Sequence, residues 1–131
     1  AGSNRVWDDK VIPSVCFTSP EIVTCGLDPI TAKEAGVEVV VGKFPFTANG
    51  RAMTMESDIG FVRVVARKVD HAIIGIQGVG TGISEMASAF SVAIEMGARL
   101  EDISHIVQAH PTQSEGLQES ALAALGHPLH I

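Results

Sequence analysis

A histidine, a proline and, five positions after the histidine, a glutamate form the part of this sequence best suited to proton transfer. The segment reads QAHPTQSE, residues 108–115, and the two side chains are those of His110 and Glu115. An imidazole with an unperturbed pKa of about 6.5 takes up and returns a proton near neutral pH. A carboxylate beside it orients the ring and stabilises the imidazolium, as in general acid–base catalysis. The pattern therefore predicts a catalytic pair.

The same segment also has a structural interpretation. Thr112 and Glu115 have the Thr-x-x-Glu spacing of a capping box, in which each side chain accepts a hydrogen bond from the backbone of the other at a helix start. This accounts for Glu115 but not for His110, which lies before a helix whose dipole disfavours a histidine cation. From the residues alone, catalysis and capping are equally supported.

The other histidines and the glycine-rich segment are weaker candidates. A zinc site built from His105, His110 and Cys16 would lack the usual ligand spacing, so no metal is predicted. GVGTG, residues 78–82, lacks the βαβ context of a dinucleotide fingerprint and predicts a strand-to-helix turn. The remaining histidines are predicted to have surface or tail roles: His71, His127 and His130.

Turn and cap signals divide the first half of the chain. Residues 1–10 lack periodicity and predict a linker or an appended segment, before a domain over 11–127 and a tail over 128–131. A strand is predicted over Ser14 to Thr18, and Asp28 with Pro29 starts a helix that ends at Gly36. A second strand begins at Val37, and TANGRA after it predicts a loop with an Asn-Gly turn.

The second half changes from strand to helix periodicity. Two alternating segments, beginning at Phe61 and His71, predict a β-hairpin. Apolar residues at helical spacing predict a helix from Ser84 that Gly97 ends, followed by a short helix in LEDISHIV and a last helix after Thr112. Strands first and helices later predict an α+β fold, an antiparallel sheet with helices packed on one face.

Composition excludes several classes of protein. The 131 residues are 46% hydrophobic and 18% charged with no long apolar run, which is typical of a single globular domain without a membrane span. A net charge of −6 and scattered basic residues make nucleic acid an unexpected partner. Cys16 and Cys25 are predicted to be reduced thiols, which favours the cytoplasm.

Several segments resemble, in order, the C-terminal interface domain of the pyridine-nucleotide disulfide oxidoreductases. The resemblance covers residues 12–126, and FPFTANGRA is most similar to the dihydrolipoamide dehydrogenases of this family. The segments are FTSPEIVTCG, DPITAKEAG, FPFTANGRA, GFVRVVARK, IIGIQGVGTGISEMASAFSVAIEMG, EDISHIV and HPTQSE.

The resemblance implies a role for each residue of the His-Pro-Thr-x-Ser-Glu motif. His110 is implied to remove a thiol proton from dihydrolipoamide, with Glu115 as its hydrogen-bonding partner, in a reaction that uses FAD and NAD⁺. His110 and Pro111 are implied to lie against the flavin of a homodimer partner, joined by a cis peptide bond. The implied further partner is the lipoyl group of a 2-oxo acid dehydrogenase complex. The isolated chain is expected to be inactive and to bind no cofactor.

The chain also departs from the family pattern. Dihydrolipoamide dehydrogenases usually carry a histidine two places before the catalytic one, and Gln108 occupies that position here. The FAD domain, the NAD domain and the redox-active Cys-x-x-x-x-Cys are not in these residues. The alternatives are the same domain of a glutathione-reductase-type enzyme, or a non-catalytic interaction domain in which His110 is structural.

Overall fold

The computed structural model describes Gly2 and residues 9–131, so most of the predicted N-terminal linker lies outside the described residues. Five antiparallel strands form one sheet in the order β1-β2-β5-β4-β3. The strands are β1 Ser14–Cys16, β2 Glu21–Gly26, β3 Val39–Pro45, β4 Phe61–Arg67 and β5 Ile73–Gly80. The α-helices are α1 Pro29–Glu34, α2 Gly50–Thr54, α3 Ala87–Glu95, α4 Leu100–His105 and α5 Glu115–Ala124.

The helices α3 and α5 pack on the same face of the sheet. On β4, the fully buried Val62 and Val64 point to one face, and they pair with Gly78 of β5 and Gly42 of β3. A Cβ atom at Gly78 would meet the Phe90 ring of α3, and one at Gly42 would meet the α5 backbone. The predicted α+β fold is therefore confirmed, with α5 held directly against β3 and β4.

Most predicted elements are present. Asp28 caps α1 by accepting hydrogen bonds from the Ile30 and Thr31 N–H groups, and Gly36 follows the helix at a φ of 71°. The hairpin of β4 and β5 is confirmed. The helix predicted from Ser84 begins as a 3-10 turn over Ile83–Met86 before α3, which Gly97 follows at a φ of 64°.

Two parts of the prediction differ from the structure. The strand predicted over Ser14 to Thr18 ends at Cys16. The sequence patterns do not predict β2, which begins directly after Pro20. The prediction of a loop at TANGRA, residues 47–52, is wrong. A 3-10 turn over Phe46–Ala48 leads into α2, because the buried Asn49 side chain accepts a hydrogen bond from the Ala52 N–H and caps a helix there.

GVGTG forms a strand end and a turn, as predicted. Gly78 and Gly80 lie in β5, where Gly80 leaves space for the Phe46 ring, and Gly82 takes a φ of 71° in the turn before the 3-10 helix. Among the described residues, no helix combines the length and hydropathy needed to cross a bilayer.

Candidate functional site

The His110 and Glu115 side chains meet at the N-terminus of α5. The His110 Nδ1 atom lies 2.8 Å from Glu115 Oε1, and because a carboxylate can only accept, Nδ1–H is the donor. The His110 side chain is 76% exposed, whereas that of Glu115 is 20% exposed. The His110 ring therefore faces solvent, and its Nδ1–H is bound by a carboxylate that is mostly shielded from solvent.

Glu115 serves both interpretations of the sequence at once. Its Oε2 accepts a hydrogen bond from the Thr112 N–H at 2.8 Å while Oε1 binds His110. Only this half of the predicted capping box forms, because the Thr112 hydroxyl donates to the Ala109 carbonyl oxygen instead of accepting at the helix start. Glu115 is the first residue of α5, whose N-cap Ser114 has no side-chain cap, so one oxygen of the Glu115 carboxylate holds the turn before the helix while the other orients the imidazole.

The segment that joins β3 to α2 contacts the loop that contains His110. The Asn49 side chain, itself buried, donates from Nδ2 to the Thr112 carbonyl oxygen at 3.0 Å. Gly50 lies next to His110 and Pro111, at a distance that would leave ordinary van der Waals contact for an added Cβ atom. The peptide bond between His110 and Pro111 is cis, as the resemblance implied.

The electrostatics favour an ionised Glu115. Burial alone would raise the pKa of the Glu115 carboxyl, but the hydrogen bonds from the Thr112 N–H and from His110 outweigh burial and lower the pKa below its ordinary value. The carboxylate therefore stays charged at neutral pH and keeps the His110 proton on Nδ1. That tautomer leaves a lone pair on Nε2, the atom that faces away from Glu115.

A small cavity adjoins the pair. Its volume is about 220 Å³. Its walls come from β3, from the segment leading into α2, from α5 and from the C-terminus, and the lining residues include Phe44, Asn49, Gly50, Met53, Glu119 and His130. The arrangement can accept a proton at Nε2 and stabilise the resulting cation through Glu115.

The other sequence candidates lie elsewhere or have other partners. His71 binds Glu101 beside the β4–β5 connection, with Nδ1 2.5 Å from Oε1. His105 is exposed at the end of α4, and Cys16 is exposed on β1. Within the described ranges, no three His, Cys, Asp or Glu side chains are grouped so that they could hold a metal ion.

Sequence reasoning missed two residues of this region. The sequence predicts only a surface or tail role for His130, yet its Nδ1 lies 2.5 Å from Oε1 of Glu119, one helical turn after Glu115. The four-residue spacing of Glu115 and Glu119 on a predicted helix was the available signal, because it places both carboxylates on one face.

Comparisons with known proteins agree with this fold. The family model described as pyridine nucleotide-disulphide oxidoreductase, dimerisation domain, matches residues 12–121. The chain is 56% identical to the dihydrolipoyl dehydrogenase of Pseudomonas aeruginosa, over all of this chain and 28% of that protein. It is 45% identical to dihydrolipoyl dehydrogenase 2 of Haloarcula marismortui, over 99% of this chain and 28% of that protein.

Solved structures share the fold. The crystal structure of LpdA from Mycobacterium tuberculosis aligns with a TM-score of 0.81 at 24% identity, over 86% of this chain and 24% of that one. The chain thus spans about a quarter of each of these proteins. Since the family model covers most of the chain, we conclude that this chain belongs to the pyridine nucleotide-disulphide oxidoreductase family and is its dimerisation domain.

Proposed function

We propose that this domain supplies the proton-transfer pair for oxidation of dihydrolipoamide to lipoamide in a full-length, homodimeric dihydrolipoyl dehydrogenase. His110 is the general base, and Glu115 orients it and stabilises its cation. His110 Nε2 accepts the proton of one substrate thiol, so that the thiolate can attack a disulfide held in the other part of the enzyme. The two thiol groups lose two electrons and two protons in total, and the lipoyl disulfide forms.

The observation that carries this proposal is the engagement of Nδ1 by Glu115 on a ring that is 76% exposed. His71 and His130 also bind a glutamate through Nδ1, but their side chains are less exposed, at 36% and 65%. In His110 the inner nitrogen is fixed and the outer one faces solvent, which is the orientation that a base needs to reach a substrate on another subunit.

The exposed surface of residues 110–111 fits a flavin held by a partner subunit. Both residues are exposed, and contact there would leave the hydrogen bond between His110 Nδ1 and Glu115 intact. FAD bound in the full-length enzyme would accept the two electrons, and NAD⁺ would be the final electron acceptor. His110 and Pro111 are the residues of this chain that would contact the flavin.

The named relatives favour dihydrolipoamide over glutathione as the substrate, because those with 56% and 45% identity are dihydrolipoyl dehydrogenases. Gln108, which replaces the histidine expected two positions before His110, lines an apolar groove beside α3 and α4 and not the cavity that adjoins the pair. The substitution therefore leaves the proposed base and its partner complete.

The cytoplasm stays our proposed location, supported by two cysteines that are free thiols.

Substitution of His110 tests the proposal directly. In the full-length enzyme, H110Q is expected to lower the rate of dihydrolipoamide oxidation by about 10²- to 10⁴-fold, the usual contribution of a general base. Flavin absorbance should show that FAD is retained. H105Q, which changes an exposed histidine at the end of α4, is the matched control and should leave the rate unchanged. Unchanged turnover in H110Q would instead support a non-catalytic interaction domain.

A further inference from the structure

The last residues of the chain fold back on α5 and bring a second pair of histidine and glutamate to the candidate site. Gly126 follows α5 at a φ of 82°, and the His127 N–H donates to the Leu122 carbonyl oxygen. The chain then returns along the helix, so that the Leu129 N–H reaches Glu119 Oε2 at 3.2 Å and His130 Nδ1 reaches Oε1.

Glu119 needs this partner because its side chain is only 5% exposed. A carboxylate withdrawn from water is unfavourable unless opposite charge and hydrogen bonds compensate it. The need is greater here, since Glu115 lies four residues earlier on the same helix and like charges at that spacing repel. The His130 ring is 65% exposed, so its outer edge stays hydrated while its inner nitrogen satisfies the buried acid.

The two pairs share one cavity and contain every titratable group that the described residues contribute to its lining. His110, Glu115, Glu119 and His130 come from the loop before α5, from α5 itself and from the C-terminus. The wall formed by β3 and the segment into α2 is uncharged, with Phe44, Ala48, Asn49, Gly50 and Met53. Lys43 points to another surface, where its Nζ lies over the Phe61 ring, and Arg51 is not a lining residue. The charge on His130 also contributes to lowering the pKa of Glu115.

From these contacts we infer that His130 and Glu119 are positioning residues whose paired charges set the pH at which His110 exchanges its proton. The inference rests on the proposed function of His110. When the His130 ring is protonated, its charge balances that of the Glu119 carboxylate, and His110 then experiences essentially one carboxylate, that of Glu115. Loss of either member of the second pair leaves one uncompensated charge beside His110, of opposite sign in the two cases.

The test is a set of three variants in the full-length flavoprotein. H130Q leaves the Glu119 carboxylate unbalanced, so the titration of His110 should move to higher pH. E119Q leaves the His130 cation unbalanced, so the titration of His110 should move to lower pH. The double variant E119Q/H130Q removes both charges and should restore the wild-type midpoint. H127Q, which changes the exposed histidine beside the same turn, is the matched control and should cause no shift.

Two readouts separate failure of this inference from failure of the proposed function. NMR of ¹³C-labelled histidine rings follows His110 without turnover, with its signal assigned from H110Q, and the pH dependence of dihydrolipoamide oxidation follows the reaction. Opposite shifts that cancel in the double variant support the inference even if H110Q leaves turnover unchanged. Shifts in the same direction, or no shift in either single variant while H110Q abolishes turnover, would overturn it.

Discussion

At the residue scale, the Glu115 carboxylate combines two tasks, because one oxygen binds the Thr112 N–H and the other binds His110. In the full-length enzyme, E115Q should keep the bond to the Thr112 N–H but present an amide N–H to the ring. The His110 proton then moves to Nε2, the wrong nitrogen for a base, and dihydrolipoamide oxidation should fall by about 10²- to 10⁴-fold.

The control for this substitution is E101Q, in which the same change is made in the pair formed by His71 and Glu101 away from the site. Steady-state rates of E101Q should equal those of the wild type. If E115Q also kept the wild-type rate, Glu115 would be a helix cap without a part in orienting His110.

The Thr112 amide should report the titration of Glu115. Because the pKa of Glu115 is lowered in the folded state, the stabilisation from its carboxylate is complete above the ordinary value of about 4.5 and is lost as pH falls through the lower folded value. The ¹⁵N shift of the Thr112 amide should therefore report the Glu115 titration below pH 4.5. An E115Q chain should show no such transition, and its persistence in E115Q would contradict the assignment.

The sequence was sufficient for one of the two pairs at the site and insufficient for the other. His110 and Glu115 lie five residues apart and are identifiable from residue chemistry together with the helix start between them. Glu119 and His130 are eleven apart and meet only because the chain reverses after Gly126. A tail without hydrophobic periodicity gives no signal of that reversal.

At the element scale, the contact between α5 and β3 depends on Gly42. A Cβ atom there would collide with the Ser120 carbonyl oxygen and would lie 2.8 Å from the Ala124 Cβ atom. G42A should lower the free energy of unfolding by about 1–3 kcal/mol, the usual effect of overpacking.

Denaturant unfolding measures this effect, with G50A as the control. An added Cβ atom at Gly50 meets nothing closer than 3.7 Å, so this variant should be within about 0.5 kcal/mol of the wild type. Equal stability of the two variants would show that α5 can move away from β3 without loss.

Local patterns predicted elements well where caps and periodicity agreed. Asp28, Pro29 and Gly36 defined α1, and the alternation of residues in β4 and β5 defined the hairpin. TANGRA failed because Asn-Gly is a turn signal on average, whereas burial of the Asn49 side chain, a tertiary effect, makes it a helix cap here. In β2 the buried Val23 and Cys25 alternate with exposed Ile22 and Thr24, but Ile22 is apolar, so the sequence does not show this alternation.

At the scale of the whole molecule, an apolar groove between α3 and α4 is the surface on which we expect subunit contacts. It has a volume of about 330 Å³, and Val92, Met96 and Ile106 on its walls are exposed. Apolar exposure of this kind marks interaction surfaces, and a homodimer uses the same surface on both subunits.

In the full-length protein, V92E should weaken dimerisation by at least about tenfold, since it would bury an unpaired charge at the contact. V69E changes a similarly exposed valine on the β4–β5 connection and should leave the dimer unchanged. Sedimentation velocity over a concentration series distinguishes the two. A V92E protein that stayed as dimeric as V69E would place the subunit contact on a different surface.

The double use of Glu115 has a consequence for protein engineering. A designer who transplants His110 and Glu115 into another scaffold must also transplant the Thr112 amide and the start of α5, because the carboxylate that aims the ring is the one that begins the helix. Attempts to retune the acidity of this site with a side chain that cannot accept the Thr112 hydrogen bond would also loosen the backbone that presents the base. Reactivity and local architecture can therefore be redesigned here only together.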